Sequence, residues 1–173
     1  MSGSLPGPAP TGLAPWIAAG LVGILAMAAL AWAGTRGVAE PAARVQGYLA
    51  ENARKPGVTV LSSGVQVEVL RPAPGKGQSP GPEDFVLVHY EGRLADGTVF
   101  DSSYARGQPA AFGVGNVIPG FAEALQRMRP GEKARITIPP AQGYGAEGAG
   151  NGVIPPNSVL VFEVELLEVA RGS

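Results

Sequence analysis

The chain has 173 residues and a formal net charge of −1, from 13 basic and 14 acidic side chains. It has no cysteine and one histidine, His89, which excludes disulfides, thiolate metal sites, cysteine nucleophiles and a histidine-rich metal cluster. The balanced charge asks for no nucleic acid, and 26 glycines and 17 prolines beside 45% hydrophobic residues describe a folded, turn-rich chain.

No side chain is charged from Met1 to Thr35. Residues 1–15, "MSGSLPGPAPTGLAP", read as a disordered tail. The run Trp16 to Ala33 is apolar throughout and carries a tryptophan at each end. At about 1.5 Å per residue it reaches roughly the ~30 Å of a hydrocarbon core, with its aromatics at the interfacial levels. Residues 16–34 are therefore expected to form a transmembrane anchor in contact with the lipid bilayer. A cleaved signal peptide is the alternative, because Ala31 and Ala33 make an A-x-A site, although a positive n-region is missing. Arg36 and Arg44 follow the span, and by the positive-inside rule they favour a cytoplasmic domain. Residues 35–57 form a linker and a short stem helix. Pro41 suits its first turn, Val45, Tyr48, Leu49 and Asn52 recur at helical spacing, and "KPG" stops it.

From Val58 the period changes to two. "VTVLSSGVQVEVL" places Val65, Val67 and Val69 on one face, and "FVLVHYEGRL" does the same with Val86, Val88 and Tyr90. Asp96-Gly97 marks a tight turn before "TVFDSS". In "VIPGFAEALQRM" the recurrence of Ile118, Phe121, Leu125 and Met128 predicts one amphipathic helix, opened by Pro119 and closed before Pro130-Gly131. "KARITIPP" alternates again, with Ala134, Ile136 and Ile138 together, and "SVLVFEVELLEV" is the last strand. Five or six strands and one short helix predict an α+β domain over residues 58–173, an antiparallel sheet burying one face on the helix.

Nucleophile-elbow, phosphate-loop and zinc-protease motifs are absent. Asp101, in "FDSS", is bracketed by an aromatic ring and hydroxyls, and Tyr144 stands in the glycine loop "GYGAEG". Each alone suits a turn cap or a core ring. The order "VHYEGRLADGTVFDSS", "VIPGFAEAL", "GYG", "VIPPNSVLVFEVELL" carries more. It resembles the FKBP-type peptidyl-prolyl cis-trans isomerases over about residues 58–169. The stem "YLAENARKPGVTVLSSGVQVEVL" further resembles the bacterial envelope branch of macrophage-infectivity-potentiator type.

The resemblance implies an antiparallel sheet wrapped around a short helix, with an apolar pocket between them. It implies an isomerase of X–Pro bonds that needs no cofactor and no metal, acting on proline-containing polypeptide clients. Asp101 and Tyr144 match the catalytic polar pair. Tyr90, Phe100, Phe112, Val117, Ile118, Phe121, Ile154 and Phe162 match the substrate-binding wall, floor and rim, with the Ile118 amide as a donor and Val153 beside Ile154 in the overhanging loop. The prolines of "VIPP" are expected to stiffen that loop. Phe121 stands where tryptophan is commonest in the family. Ala110 stands where a rim aromatic is expected, and "AGNG" has no bulky residue, so macrocyclic inhibitors are expected to bind less tightly. Envelope relatives carry a long dimerisation region where this chain has a span and linker, which puts dimerisation in doubt. The same branch favours a bacterial inner-membrane protein, single-pass, with its domain in the periplasm, against the arginine asymmetry.

Overall fold

The computed structural model describes residues 42–172. The tail, the run Trp16–Ala33 and the start of the linker lie outside the described residues. Among the described residues no helix is long and apolar enough to cross a membrane.

The stem forms helix α1, Ala42–Ala53, as its periodicity predicts. It packs on the domain. Val45 and Asn52 are buried. Asn52 donates through Nδ2 to Gln66 Oε1 at 2.8 Å and to Thr137 Oγ1 at 3.2 Å, and Gln66 Nε2 donates to the Leu49 carbonyl at 2.9 Å. Gly57, at φ 82°, reverses the chain in a conformation that glycine adopts without strain. Burying one amide between two other polar side chains is favourable only while all three stay paired. Asn52→Ala is therefore expected to lower unfolding free energy by about 1–3 kcal/mol, read from urea unfolding midpoints, with activity per folded molecule unchanged.

Seven strands follow rather than the five or six expected. They are β1 Val58–Val60, β2 Gln66–Arg71, β3 Phe85–Leu94, β4 Val99–Ser102, β5 Ala110–Gly113, β6 Lys133–Ile138 and β7 Leu160–Ala170. The sheet order is β1-β2-β6-β7-β3-β4, and every pairing is antiparallel. β7 lies along the whole of β3, while β4 and β5 share the other side of β3. β5 is short and opens on two alanines, so its alternation is too weak to read from the chain.

Helix α2, Pro119–Leu125, starts at Pro119 as expected and ends sooner than the apolar spacing suggests. Met128 is nonetheless buried, held by i→i−3 turns in which Arg127 and Met128 donate to Ala124 and Leu125. Phe121, Ala124, Leu125 and Met128 enter one core with Val86, Val88, Ala134, Ile136, Ile138, Val164 and Leu166. Burying each large aliphatic side chain contributes about 1.5–3 kcal/mol. Gly120 lets α2 approach β6, since a Cβ there would lie 2.6 Å from Ile138 Cγ2.

The expected Val65, Val67, Val69 stripe holds only in part. Val65 is fully buried, Val67 is half-buried, and Val69 is 52% exposed. Val69 faces the same side as its partner Ala134, but at the outer end of β2, beside a register shift before Arg71. A strand keeps its alternation past the point where the core stops covering it.

Candidate functional site

The inner face of the sheet and one side of α2 bring five aromatic rings together. Tyr90 projects from β3, Phe100 from β4, Phe112 from β5, Phe121 from α2 and Phe162 from β7. Phe121 and Phe162 are nearest, with centroids 4.9 Å apart. Phe100 meets Phe162 edge-on at 5.5 Å, and Tyr90 meets Phe112 edge-on at 5.6 Å. Phe112 stands at 89° to Phe121, with centroids 6.3 Å apart. Edge-to-face contacts of this kind are the favourable ones for aromatic quadrupoles. Phe121, Phe162 and Tyr90 are buried, whereas Phe100 and Phe112 are half-buried. Gly92, opposite Phe162 on β7, makes room for the rings. A Cβ there would lie 2.6 Å from Phe100 and 2.8 Å from Phe162.

One edge of this cluster is polar. The Tyr90 hydroxyl donates to Asp101 Oδ2, and Arg106 Nη1 donates to Asp101 Oδ1. Arg106 Nη2 donates to the Tyr90 hydroxyl at 3.0 Å, and its guanidinium carbon sits 5.5 Å from the Tyr90 ring centroid. Burial, reinforced by the bond to Asp101, pushes the Tyr90 phenol well above its ordinary range, so it remains a proton donor. Tyr144 is half-buried. Burial raises its phenol too, with a smaller push from the Asp101 charge. Its hydroxyl makes no hydrogen bond among the described residues.

Val117 and Ile118 are half-buried where the chain enters α2. The Ile118 carbonyl accepts from Phe121 at 3.0 Å and from Ala122 at 3.1 Å, which fixes that entry. Its own amide has no partner among the described residues.

The loop that carries "VIPP" is tied down at both ends. Ala149 and Ile154 exchange backbone hydrogen bonds of 2.9 and 3.0 Å, and Asn157 donates to the Gly145 carbonyl at 2.7 Å. Gly148, at φ 67°, allows the crossing, since a Cβ there would lie 2.2 Å from the Ile154 oxygen. Ile154 is buried in the core and Val153 is 54% exposed. The prolines thus follow a residue that the core holds, and Tyr144 lies in the partner segment of the same loop pair. Ala110 is half-buried opposite Val88.

Nine of the ten predicted site residues lie in or against the one hydrophobic core, and Asp101 meets it through the Tyr90 hydroxyl. Sequence reasoning missed two more. Arg106 neutralises Asp101 from five positions on, where an arginine in an exposed loop gives no periodic signal. Gly92 interrupts an alternating strand, and that interruption is the sign of close approach by other groups.

The architecture and these side chains together define a class: an antiparallel sheet packed on the short helix α2, with five aromatic rings clustered between them and a tyrosine–carboxylate–guanidinium group at their edge. The chain belongs to the FKBP-type peptidyl-prolyl cis-trans isomerase family, whose model matches residues 76–167. It is 51% identical over 130 residues to the peptidyl-prolyl cis-trans isomerase Mip of Coxiella burnetii, covering 75% of this chain and 55% of that protein. It is 56% identical over 122 residues to the FKBP-type 22 kDa isomerase of Escherichia coli, covering 70% and 58%. Among solved structures, FkpA from Escherichia coli aligns with a TM-score of 0.71 at 41% identity, covering 76% of this chain and 60% of that one. A Pseudomonas syringae isomerase aligns with a TM-score of 0.68 at 42% identity, covering 73% and 91%. The chain spans about half the length of the curated relatives it matches.

Proposed function

We propose that the protein is a membrane-anchored peptidyl-prolyl cis-trans isomerase that accelerates X–Pro isomerisation in folding polypeptides. The observation that carries this reading is the five-ring cluster with the Tyr90–Asp101–Arg106 edge beside it. An X–Pro bond isomerises in about tens to hundreds of seconds unaided, because resonance sets a barrier of ~18–20 kcal/mol. A planar amide is more polar than a twisted one. A proline ring seated on Phe121 and Phe162, walled by Tyr90, Phe100 and Phe112, leaves its amide in apolar surroundings that favour the twisted form. That is differential binding of the transition state. In this reading Ile154 and Val117 close over the ring, and the Ile118 amide and Tyr144 hydroxyl bond the client backbone. Asp101 acts on the electrostatics of the twisting bond. No step requires a proton transfer, a nucleophile or a metal.

From the apolar run and its terminal tryptophans we infer that residues 16–34 anchor this domain to the bacterial inner membrane, and from the resemblance to the envelope branch that the domain faces the periplasm. Full-length protein is then retained in the membrane pellet after an alkaline carbonate wash, and a mature N-terminus at Gly34 would assign the segment to a cleaved signal instead.

Asp101→Asn tests the site. It preserves shape and leaves Tyr90 an acceptor, but removes the charge that Arg106 neutralises. In a proline-limited refolding assay kcat/KM is expected to fall about tenfold, the size of a charge-assisted hydrogen bond, with the unfolding midpoint nearly unchanged. Unfolding without loss of activity per folded molecule would make Asp101 a structural cap. A domain that binds proline peptides without turnover would be a tethered binding module.

A further inference from the structure

The outer face of β3 carries an arrangement that the reading above does not use. Ser103 is fully buried, two residues beyond Asp101. Its backbone N–H donates to the Tyr90 carbonyl at 2.9 Å. Its Oγ accepts the Tyr90 N–H at 2.8 Å. Both main-chain groups of Tyr90, whose hydroxyl meets Asp101 and Arg106, are thereby held by one residue. The same Oγ lies 3.0 Å from His89 Nδ1 and 3.2 Å from the Tyr90 carbonyl. Its single hydrogen can serve only one of these two acceptors. The His89 ring is clamped by Tyr104, stacked on it at 4.7 Å and 13°.

We propose that Ser103 and His89 are positioning residues that set Tyr90 and Asp101 from behind the sheet, and that the protonation state of His89 selects where the Ser103 hydrogen points. The proposal rests on the isomerase reading of the site. With a neutral ring that carries its hydrogen on Nε2, Nδ1 accepts from Ser103 and the second bond to the Tyr90 carbonyl is unmade. With a protonated ring, Nδ1–H donates to Oγ, and the serine hydrogen turns to the Tyr90 carbonyl. Oγ then receives two N–H groups and gives its own hydrogen, so every donor is used and Tyr90 is held by one more bond.

The charged groups on the same face are mixed. Glu165 of β7 stands opposite His89, and Glu163 opposite Glu91. Glu165 is bonded by Arg71 of β2 at 2.5 Å and faces Lys133 of β6, while Lys133 and Arg135 pair with Glu163. Glu91 is paired with Arg93 on β3 itself. From the loop of residues 103–109 the groups are Tyr104 and Arg106, the latter directed at Asp101. The carboxylates near the ring are thus paired by cations, and the serine bond is what the ring's proton reorganises.

The test joins two measurements on the full chain between pH 5 and 8. In NMR spectra the Tyr90 and Asp101 amide signals should shift with the same midpoint as the His89 ring, and in His89→Gln this shared transition should vanish. In the refolding assay kcat/KM should be about threefold higher below that midpoint than above it, the effect of one added neutral hydrogen bond. His89→Gln should give a flat profile. Ser103→Ala tests the same link from the other side and should uncouple the Tyr90 signal from the ring. If Ser103→Ala does not fold, the glutamine variant decides. A Tyr90 signal indifferent to the ring, or an unaltered profile in His89→Gln, overturns the proposal. If the protein lacks isomerase activity, the NMR arm still judges the coupling, so failure of the enzyme reading and failure of this inference are distinguishable.

Discussion

Replacing Phe121 with alanine is expected to lower the unfolding free energy by about 3–5 kcal/mol, the range for truncating a buried aromatic. Phe121 is 4% exposed and touches Tyr90, Phe112 and Phe162 by ring contact. Its removal strips α2 of its largest inward side chain and opens a void where three strands converge. Small domains hold only about 5–15 kcal/mol in total, so the loss is a large share of the whole. Isomerase activity should fall with it, because the proposed seat of the proline ring is that same side chain. Phe121→Trp separates the two effects. It keeps a flat aromatic floor, and it should fold and retain activity within a few-fold of the parent. Urea unfolding read alongside proline-limited refolding checks both. An alanine variant with full stability would show that the ring is not packed as the structure has it.

Gly92→Ala is expected to reach the site from the opposite direction. The added methyl would lie 2.6 Å from the Phe100 ring and 2.8 Å from Phe162. No Cβ tolerates such distances, so both rings must move. Overpacking of this kind costs about 1–3 kcal/mol. Stability should therefore drop less than in Phe121→Ala, while kcat/KM drops at least tenfold, since a displaced wall no longer fits a ring of fixed size. The informative readout is the split between the two quantities. A loss of stability with normal kinetics would place Phe100 and Phe162 outside the working site. The glycine's φ is not in the left-handed region, so space rather than backbone freedom makes alanine unwelcome here.

Much of this molecule could be read along the chain. The alternation of Val86, Val88 and Tyr90, of Ala134, Ile136 and Ile138, and the spacing of Ile118, Phe121 and Leu125 are local patterns. Each reports which side of its own element faces the core, and the structure agrees. Pro119 opened its helix for an equally local reason, a fixed φ and a missing donor. The ordered motifs from Tyr90 to Phe162 identified the family, because the residues that must converge are spaced by the strands that carry them. Burial was harder to read. Val69 obeys its period and is still exposed, because periodicity says which way a side chain points and not whether anything covers it.

What the tertiary structure alone decided was partnership. No spacing rule places β6 beside β2, or seats β5 and β4 on the same side of β3, since strand order depends on contacts between residues far apart in the chain. The helical spacing of Val45, Tyr48, Leu49 and Asn52 does not say what the stem packs against. The buried triad of Asn52, Gln66 and Thr137 closed that question, and two of its members sit 85 positions apart. Arg106 looked like any exposed loop arginine until Asp101 was brought within reach of it. His89 and Ser103 carried no signal at all singly. Charge, hydrogen-bond direction and ring packing are properties of neighbours in space, and the chain lists its residues only by their neighbours in sequence.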